Sequence, residues 1–143
     1  MKNLFIAALL MVTFGTSAFA ADVTGKSVFS TFKSQFKSAA NVTWTSTADF
    51  TKASFDMNDQ KMEAFYNTDG ELIAKTICIN SDDLPTGIKR NIAKKYGSYN
   101  MTEAIRYEGE EDAWYVSVED GKESLILKIA EDGFLNVFKR TVK

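Results

Sequence analysis

The sequence predicts an α+β protein built as a tandem repeat of two units, each one helix packed on a four-stranded antiparallel sheet. Three observations carry that expectation. Residues 50–75 recur in altered form about 63 positions later, at 113–138, with Asp69-Gly70 falling on Asp132-Gly133, Asn58 on Gly121, Phe55 on Val118, Met62 on Leu125 and Leu72 on Leu135. Turns fall on turns and apolar positions on apolar positions, as two copies of one supersecondary unit require. Each copy is preceded by a stretch whose apolar residues recur every three or four positions, the period of an amphipathic helix. The alternating stretches within each copy are separated by turns too short for the long crossover that parallel neighbours need, so consecutive strands are antiparallel.

The chain opens with Lys2 as a positive flank, an apolar run from Leu4 to Phe14, and Ala18-Phe19-Ala20 as a small-x-small cleavage site. That pattern predicts a cleaved signal peptide over residues 1–20. The run is shorter than the ~20 apolar residues of a transmembrane helix, and no later run is longer. The first unit is expected over 21–82 and the second over 83–143, packed as one body. A helix over about 26–40 places Val28, Phe29, Phe32 and Phe36 on its apolar side. Strands follow at 42–46, 50–57, 61–66 and 71–79, with Asn58-Asp59 and Asp69-Gly70 as tight turns that tolerate positive φ. Pro85 suits the first turn of a second helix, whose stripe is Ile88, Ile92 and Tyr96 and which Gly97 stops. Strands at 99–108, 114–119, 123–129 and 134–142 close the chain, with turns at Asp120-Gly121 and Asp132-Gly133.

Alternation within the strands assigns two faces. Ala53, Phe55, Met57, Met62, Ala64 and Tyr66, with Trp114, Val116, Val118, Leu125, Leu127 and Ile129, are expected under the helices. The other face is expected to be open and to carry Lys52, Ser54, Asp56 and Glu63 together with Phe65, Tyr107, Tyr115, Ile126 and Phe138. Aromatics among polar groups make a protein-binding patch, since they give large contact area at low entropic cost. Those five are the candidate partner-binding residues, and Asn58, Asp59, Asp120 and Gly121 are candidate hairpin-tip contacts.

Several chemistries are excluded or disfavoured. The chain has no histidine, which removes Ser-His-Asp and Cys-His pairs and His-containing zinc sites. Its single cysteine, Cys78, forms no internal disulfide and reads as a small core hydrophobe. The residues ahead of Gly70 and Gly133 lack the ligand spacing of a calcium loop. Asp82-Asp83 and the cluster Glu108, Glu110, Glu111 and Asp112 read as solvated loop charge, the first pair at a helix N-terminus where negative charge is stabilising. A net charge of −2, with 17 basic against 19 acidic residues, gives no electrostatic drive toward nucleic acid or an anionic membrane. No cofactor, metal or catalytic residue is expected.

The helix ending in Ala39-Ala40, the Val42-x-Trp44 strand, the Phe50-x-x-Ala53-x-Phe55 strand, the Asp69-Gly70 turn and Leu84-Pro85 opening a helix that ends at Tyr96 resemble the exported PepSY-like proteins. That group is also called β-lactamase-inhibitor-protein-like and is frequent in Bacteroidetes. The resemblance covers nearly all of the expected mature chain. It implies a periplasmic or secreted module whose concave open sheet grips another protein, and inhibition or regulation of a peptidase or other envelope enzyme. The lone cysteine departs from the disulfide-bearing repeats of the β-lactamase inhibitor itself, so inhibition of β-lactamase is not carried over. The alternative reading is a periplasmic carrier that holds a small ligand or peptide in a pocket between the helix and sheet layers.

Overall fold

The computed structural model describes residues 26–143, and the expected signal segment lies outside the described residues. The chain runs α1 (Lys26–Gln35), β1 (Ala40–Ser46), β2 (Thr51–Met57), β3 (Gln60–Tyr66), β4 (Leu72–Ile79), a 3-10 turn (Ser81–Asp83), α2 (Thr86–Tyr96), β5 (Asn100–Glu108), β6 (Ala113–Glu119), β7 (Glu123–Ala130) and β8 (Leu135–Val142). The eight strands form one antiparallel sheet in chain order.

That continuity corrects the expectation of two separate four-stranded sheets. β4 pairs β5 through Lys75↔Glu108, Thr76↔Tyr107, Ile77↔Arg106, Cys78↔Ile105 and Ile79↔Ala104. Ending one sheet at β4 and starting another at β5 would leave two rows of backbone N–H and C=O groups unpaired in the middle of the molecule. Joining them satisfies both rows.

Both helices lie on one face. Val28, Phe32 and Phe36 of the α1 segment pack on Ala53, Phe55, Met62, Ala64 and Tyr66. Leu84, Ile88 and Ile92 of the α2 segment pack on Ala104, Val116, Val118, Leu125, Leu127 and Ile129. Ile77 borders the first cluster and Ile79 the second; two residues apart on β4, they share a face and carry the core across the joint. The first cluster is aromatic, with Phe55 5.0 Å from Phe32 and 4.8 Å from Phe36, ring centre to ring centre. The fully buried Tyr66 donates its hydroxyl to Gln35 Oε1 at 3.1 Å, which ties β3 to the end of α1. Burial pushes its phenol up to about 12.

Local chemistry explains the turns. Asn58 and Asp59 sit at φ of 55° and 59° between the paired residues Met57 and Gln60, the geometry of a two-residue primed turn matched to strand twist. At the corresponding hairpin between β6 and β7, Asp120 Oδ1 accepts from the backbone N–H of Lys122 and of Glu123, both at 2.8 Å. These two bonds hold its carboxyl below the usual carboxylate range. The first helix stops at Gln35, earlier than its periodicity predicts, because Ala40 already pairs with Asp56 in β1. Gly97 ends α2 by close approach: a Cβ there would stand 2.6 Å from the carbonyl oxygen of Ala93. Asp82 and Asp83 lie in the 3-10 turn, where Lys89 Nζ donates to the carbonyl of Asp82 at 3.0 Å.

Candidate functional site: the helix-free face of the sheet

The face without helices is graded along the strands. Antiparallel order places the β1–β2, β3–β4, β5–β6 and β7–β8 loops at one end, and the tips Asn58-Asp59 and Asp120-Gly121 together at the other. Near the first end the face is aromatic. Phe65 of β3 and Ala74 of β4 are buried with Phe50 and Tyr107 packed against them, and Phe50 stands 5.6 Å from Phe65. Tyr115 of β6 is flanked edge-on by Tyr107 of β5 at 6.1 Å and by Phe138 of β8 at 5.3 Å. Tyr107 lies along its own loop, and a Cβ on Gly109 would be 2.5 Å from its hydroxyl. Glycine at 109 is what lets that ring reach its place.

This arrangement corrects the expected exposure of two candidates. Phe65 and Tyr115 are each only 2% exposed. Alternation put both on the helix-free face, but strands about 5 Å apart let rings from neighbouring strands cover them. Tyr107, Ile126 and Phe138 are half-buried and form the accessible part of the set. Asn58, Asp59, Asp120 and Gly121 project from the far end, although Asp120 spends its carboxylate on its own loop.

Tyr115 carries the most informative atom on this face. Its hydroxyl is buried and has no hydrogen-bond partner among the described residues. Burial chiefly, with smaller contributions from Tyr107 and Glu111, pushes that phenol well up. A buried hydroxyl without a partner is uncommon and costly, so its retention calls for a reason.

Toward the tips the face turns polar. Ser117, Ser124, Ile126, Lys139, Thr141 and Thr102 line a shallow hollow of about 220 Å³. On the first half of the sheet Lys52 and Glu63 pair at 3.2 Å with side chains 14% and 18% exposed; on the second half Lys128 of β7 reaches Glu111 of the β5–β6 loop at 4.0 Å. Cys78 is half-buried, and burial together with Glu103 and Glu63 pushes its thiol up. That is the opposite of what a nucleophilic thiolate needs. Among the described residues no group of three or more acidic or cysteine side chains is placed to hold a metal, and no helix is long and apolar enough to cross a membrane.

Two features escaped the sequence reading. Arg106 lies 4.1 Å over the Trp114 ring and pairs with Asp112 at 3.1 Å and with Glu131. Asp112 also accepts from Gly109 N at 3.1 Å, so part of the acidic loop is structural. The second is a groove of about 520 Å³ between α1 and β1, floored by Phe29, Phe36, Val42 and Trp44 and rimmed by Lys33 and Lys37. Phe29, assigned to the core by its spacing, is 43% exposed there. An apolar stripe one residue too wide for its helix was the available signal.

Fold and face together define a class: an α+β protein with, among the described residues, two helices on one side of a single antiparallel sheet and none on the other. Solved structures of that class exist. The chain is similar to a BLIP-like protein of Bacteroides fragilis (TM-score 0.72, 16% identity, covering 87% of this chain and 89% of that one). It is also similar to a DUF2874 family protein of Bacteroides ovatus (TM-score 0.74, 19% identity, 85% and 89% covered). A protein of Bacteroides eggerthii ascribed to the periplasm matches with a TM-score of 0.73 at 15% identity, over 82% and 87%. The fold of this chain is the BLIP-like fold, as its sequence resemblance implied. No model of a known family matches the chain, and no curated protein matches it by sequence.

Proposed function

We propose that the chain is an exported, non-catalytic binding module that takes a protein partner on its helix-free face and so inhibits or regulates an envelope or secreted enzyme. The observation that carries this reading is the orphan hydroxyl of Tyr115 within the aromatic cluster. A partner that displaces the covering edges of Tyr107 and Phe138 can satisfy that hydroxyl, which the free protein leaves buried and unpaired. Tyr107, Phe138 and Ile126 supply the surrounding contact area, Phe65 supports them from beneath, and the tips at Asn58-Asp59 and Asp120-Gly121 extend the surface. The BLIP-like and periplasm-ascribed neighbours support a protein partner and an exported location.

The tandem-unit reading, 21–82 and 83–143, belongs to the same proposal. Its support is the matching of register: Met62 pairs Ile77 as Leu125 pairs Arg140, and Ala53 pairs Trp44 as Val116 pairs Ala104.

A crosslinked pull-down from the native envelope fraction tests the face. Wild type is compared with an Ile126→Glu/Lys139→Glu double variant, which changes two residues of the shallow hollow and none of the fully buried core. One protein enriched by wild type and lost by the variant supports the proposal; equal capture by both removes the face assignment. The carrier reading has one observation in its favour, the groove beside α1, whose volume falls within the ~300–1,000 Å³ of small-molecule sites. It requires a ligand-dependent rise in melting temperature.

A further inference from the structure

We propose that the outer edge of β1 is a docking site for strand β8 of a second copy of this chain, so that the protein associates head to tail. The inference rests on the tandem-unit reading above. Among the described residues the sheet ends on β1 at one side and β8 at the other. Among the described residues six large hydrophobic side chains are exposed, and five of them lie at these ends: Phe29 and Val42 beside β1, and Phe134, Val137 and Val142 on or next to β8. Exposed apolar groups gathered at two strand edges, rather than scattered, mark surfaces that are covered in use.

The chain itself shows what covers such an edge. β5 occupies in the second unit the place that β1 has in the first, since Trp44 pairs Ala53 as Ala104 pairs Val116 and Thr43 pairs Ser54 as Glu103 pairs Ser117. Both strands also break register at the next step, between Ala40 and Thr43 and between Met101 and Glu103. β8 likewise corresponds to β4, since Leu125 pairs Arg140 as Met62 pairs Ile77. Within one molecule β4 covers β5, setting Ile79 opposite Ala104, Cys78 opposite Ile105 and Ile77 opposite Arg106. The same join between molecules sets Val142 opposite Trp44, Thr141 opposite Thr45 and Arg140 opposite Ser46.

The chemistry of those pairs is compatible. Val142, 74% exposed in the single chain, meets Trp44 at the mouth of the groove that Phe29, Phe36 and Val42 floor. Arg140 meets a serine rather than a cation, and it is already paired with Glu123 at 3.2 Å, as Lys143 is with Glu119 at 3.1 Å. β1, with the sequence ANVTWTS, has neither a charge nor a proline to guard its edge. Its one blunting device is the irregularity at Asn41, where φ is 55°. Soluble proteins usually protect an edge more heavily than that. The contact joins two different surfaces, so it propagates from copy to copy unless rotation closes a ring.

Sedimentation equilibrium on the processed protein tests the proposal. One strand pair with a few apolar contacts falls in the small, transient class of interface, so association is expected to develop between ~10 μM and ~1 mM. Average mass should rise past that of a dimer. Val142→Asp and Ser46→Arg should return the protein to monomer with an unchanged circular dichroism spectrum, both positions being exposed. Ser46→Glu, which offers the neighbour's Arg140 a partner, should move the transition to roughly two- to fivefold lower concentration. A monomer across the whole range overturns the proposal, as does a mass that levels at a dimer. Association indifferent to residues 46 and 142 but lost with Ile126→Glu also overturns it, since it places the contact on the helix-free face. The Val142→Asp protein should still capture whatever the wild type captures from the envelope. Failure of both to capture anything, with wild-type assembly intact, removes the binding reading alone.

Discussion

Replacing Tyr115 by phenylalanine should make the protein more stable and a poorer binder. The ring contacts to Tyr107 and Phe138, at 6.1 and 5.3 Å, survive the change, and only the hydroxyl goes. A buried polar group without a partner carries a desolvation penalty of about 1–3 kcal/mol. Against its removal stand the dispersion contacts of one oxygen atom, a few tenths of a kcal/mol at most. The net expectation is a gain of about 1 kcal/mol, or roughly 3–6 °C in melting temperature for a domain of this size. Urea denaturation reads this as a higher midpoint at unchanged slope. Partner affinity should move the other way, by about tenfold or more, because the acceptor that Tyr115 served is left buried and unpaired. Loss of 1 kcal/mol or more of stability would mean that the hydroxyl is already satisfied in the free protein, and the argument from its isolation would collapse. Added stability with unchanged affinity would place the partner elsewhere.

Three further outcomes follow from the geometry. Leu127→Ala, at a fully buried position of the α2 cluster, should cost about 2–5 kcal/mol, a large part of the total stability of a small domain, read as a fall in the urea midpoint. Asp59→Gly should add up to about 1 kcal/mol, since Asp59 now holds φ of 59° where glycine meets no Cβ penalty; a lower midpoint would contradict the primed-turn assignment. Tyr66 and Tyr99 rise from 10.0 to about 12, Tyr66 by burial and Tyr99 chiefly by its 2.6 Å hydrogen bond to Glu123. Their neutral forms therefore favour the fold, a contribution complete below about pH 10 and lost as pH climbs toward 12. The phenolate absorbance of Tyr66 and Tyr99 should accordingly appear late and together with unfolding, whereas their ionisation near pH 10 with the fold intact would refute those environments.

Local periodicity carried much of the architecture and little of the site. Phe55, Met62 and Ala64, like Val116, Leu125 and Leu127, reach the core because a period of two fixes the side of a strand regardless of its neighbours. The same rule placed Phe65 and Tyr115 on the helix-free face. It could not give their exposure, which depends on Tyr107 and Phe138 arriving from other strands and Phe50 from the β1–β2 loop. The β4–β5 pairing was equally out of reach. Nothing in residues 72–79 or 100–108 names the partner strand, and a long connection through α2 offers no turn chemistry to read. Phe29 was lost for a geometric reason: helical spacing admits it to the apolar stripe, while the sheet beneath α1 ends at β1, so that among the described residues only Trp44 and Lys33 stand against its ring and it stays 43% exposed.

Under the binding proposal, the helix-free side has to limit its exposed apolar area while keeping something to offer. Here the aromatic band solves the first problem by covering itself, ring edge against ring face across β3 to β8, so that Phe65 and Tyr115 are nearly as dry as the residues beneath the helices. What remains exposed is ion-paired side chains, small hydroxyls and the rims of Tyr107, Ile126 and Phe138. Apolar area alone therefore gives a partner little to gain, since most of it is already spent inside the free protein. Discrimination falls to the groups whose interactions are incomplete, above all the Tyr115 hydroxyl and the polar hollow around Ser117 and Lys139. Such a surface rejects a partner that lacks the matching acceptor more strongly than it rewards one that merely fits.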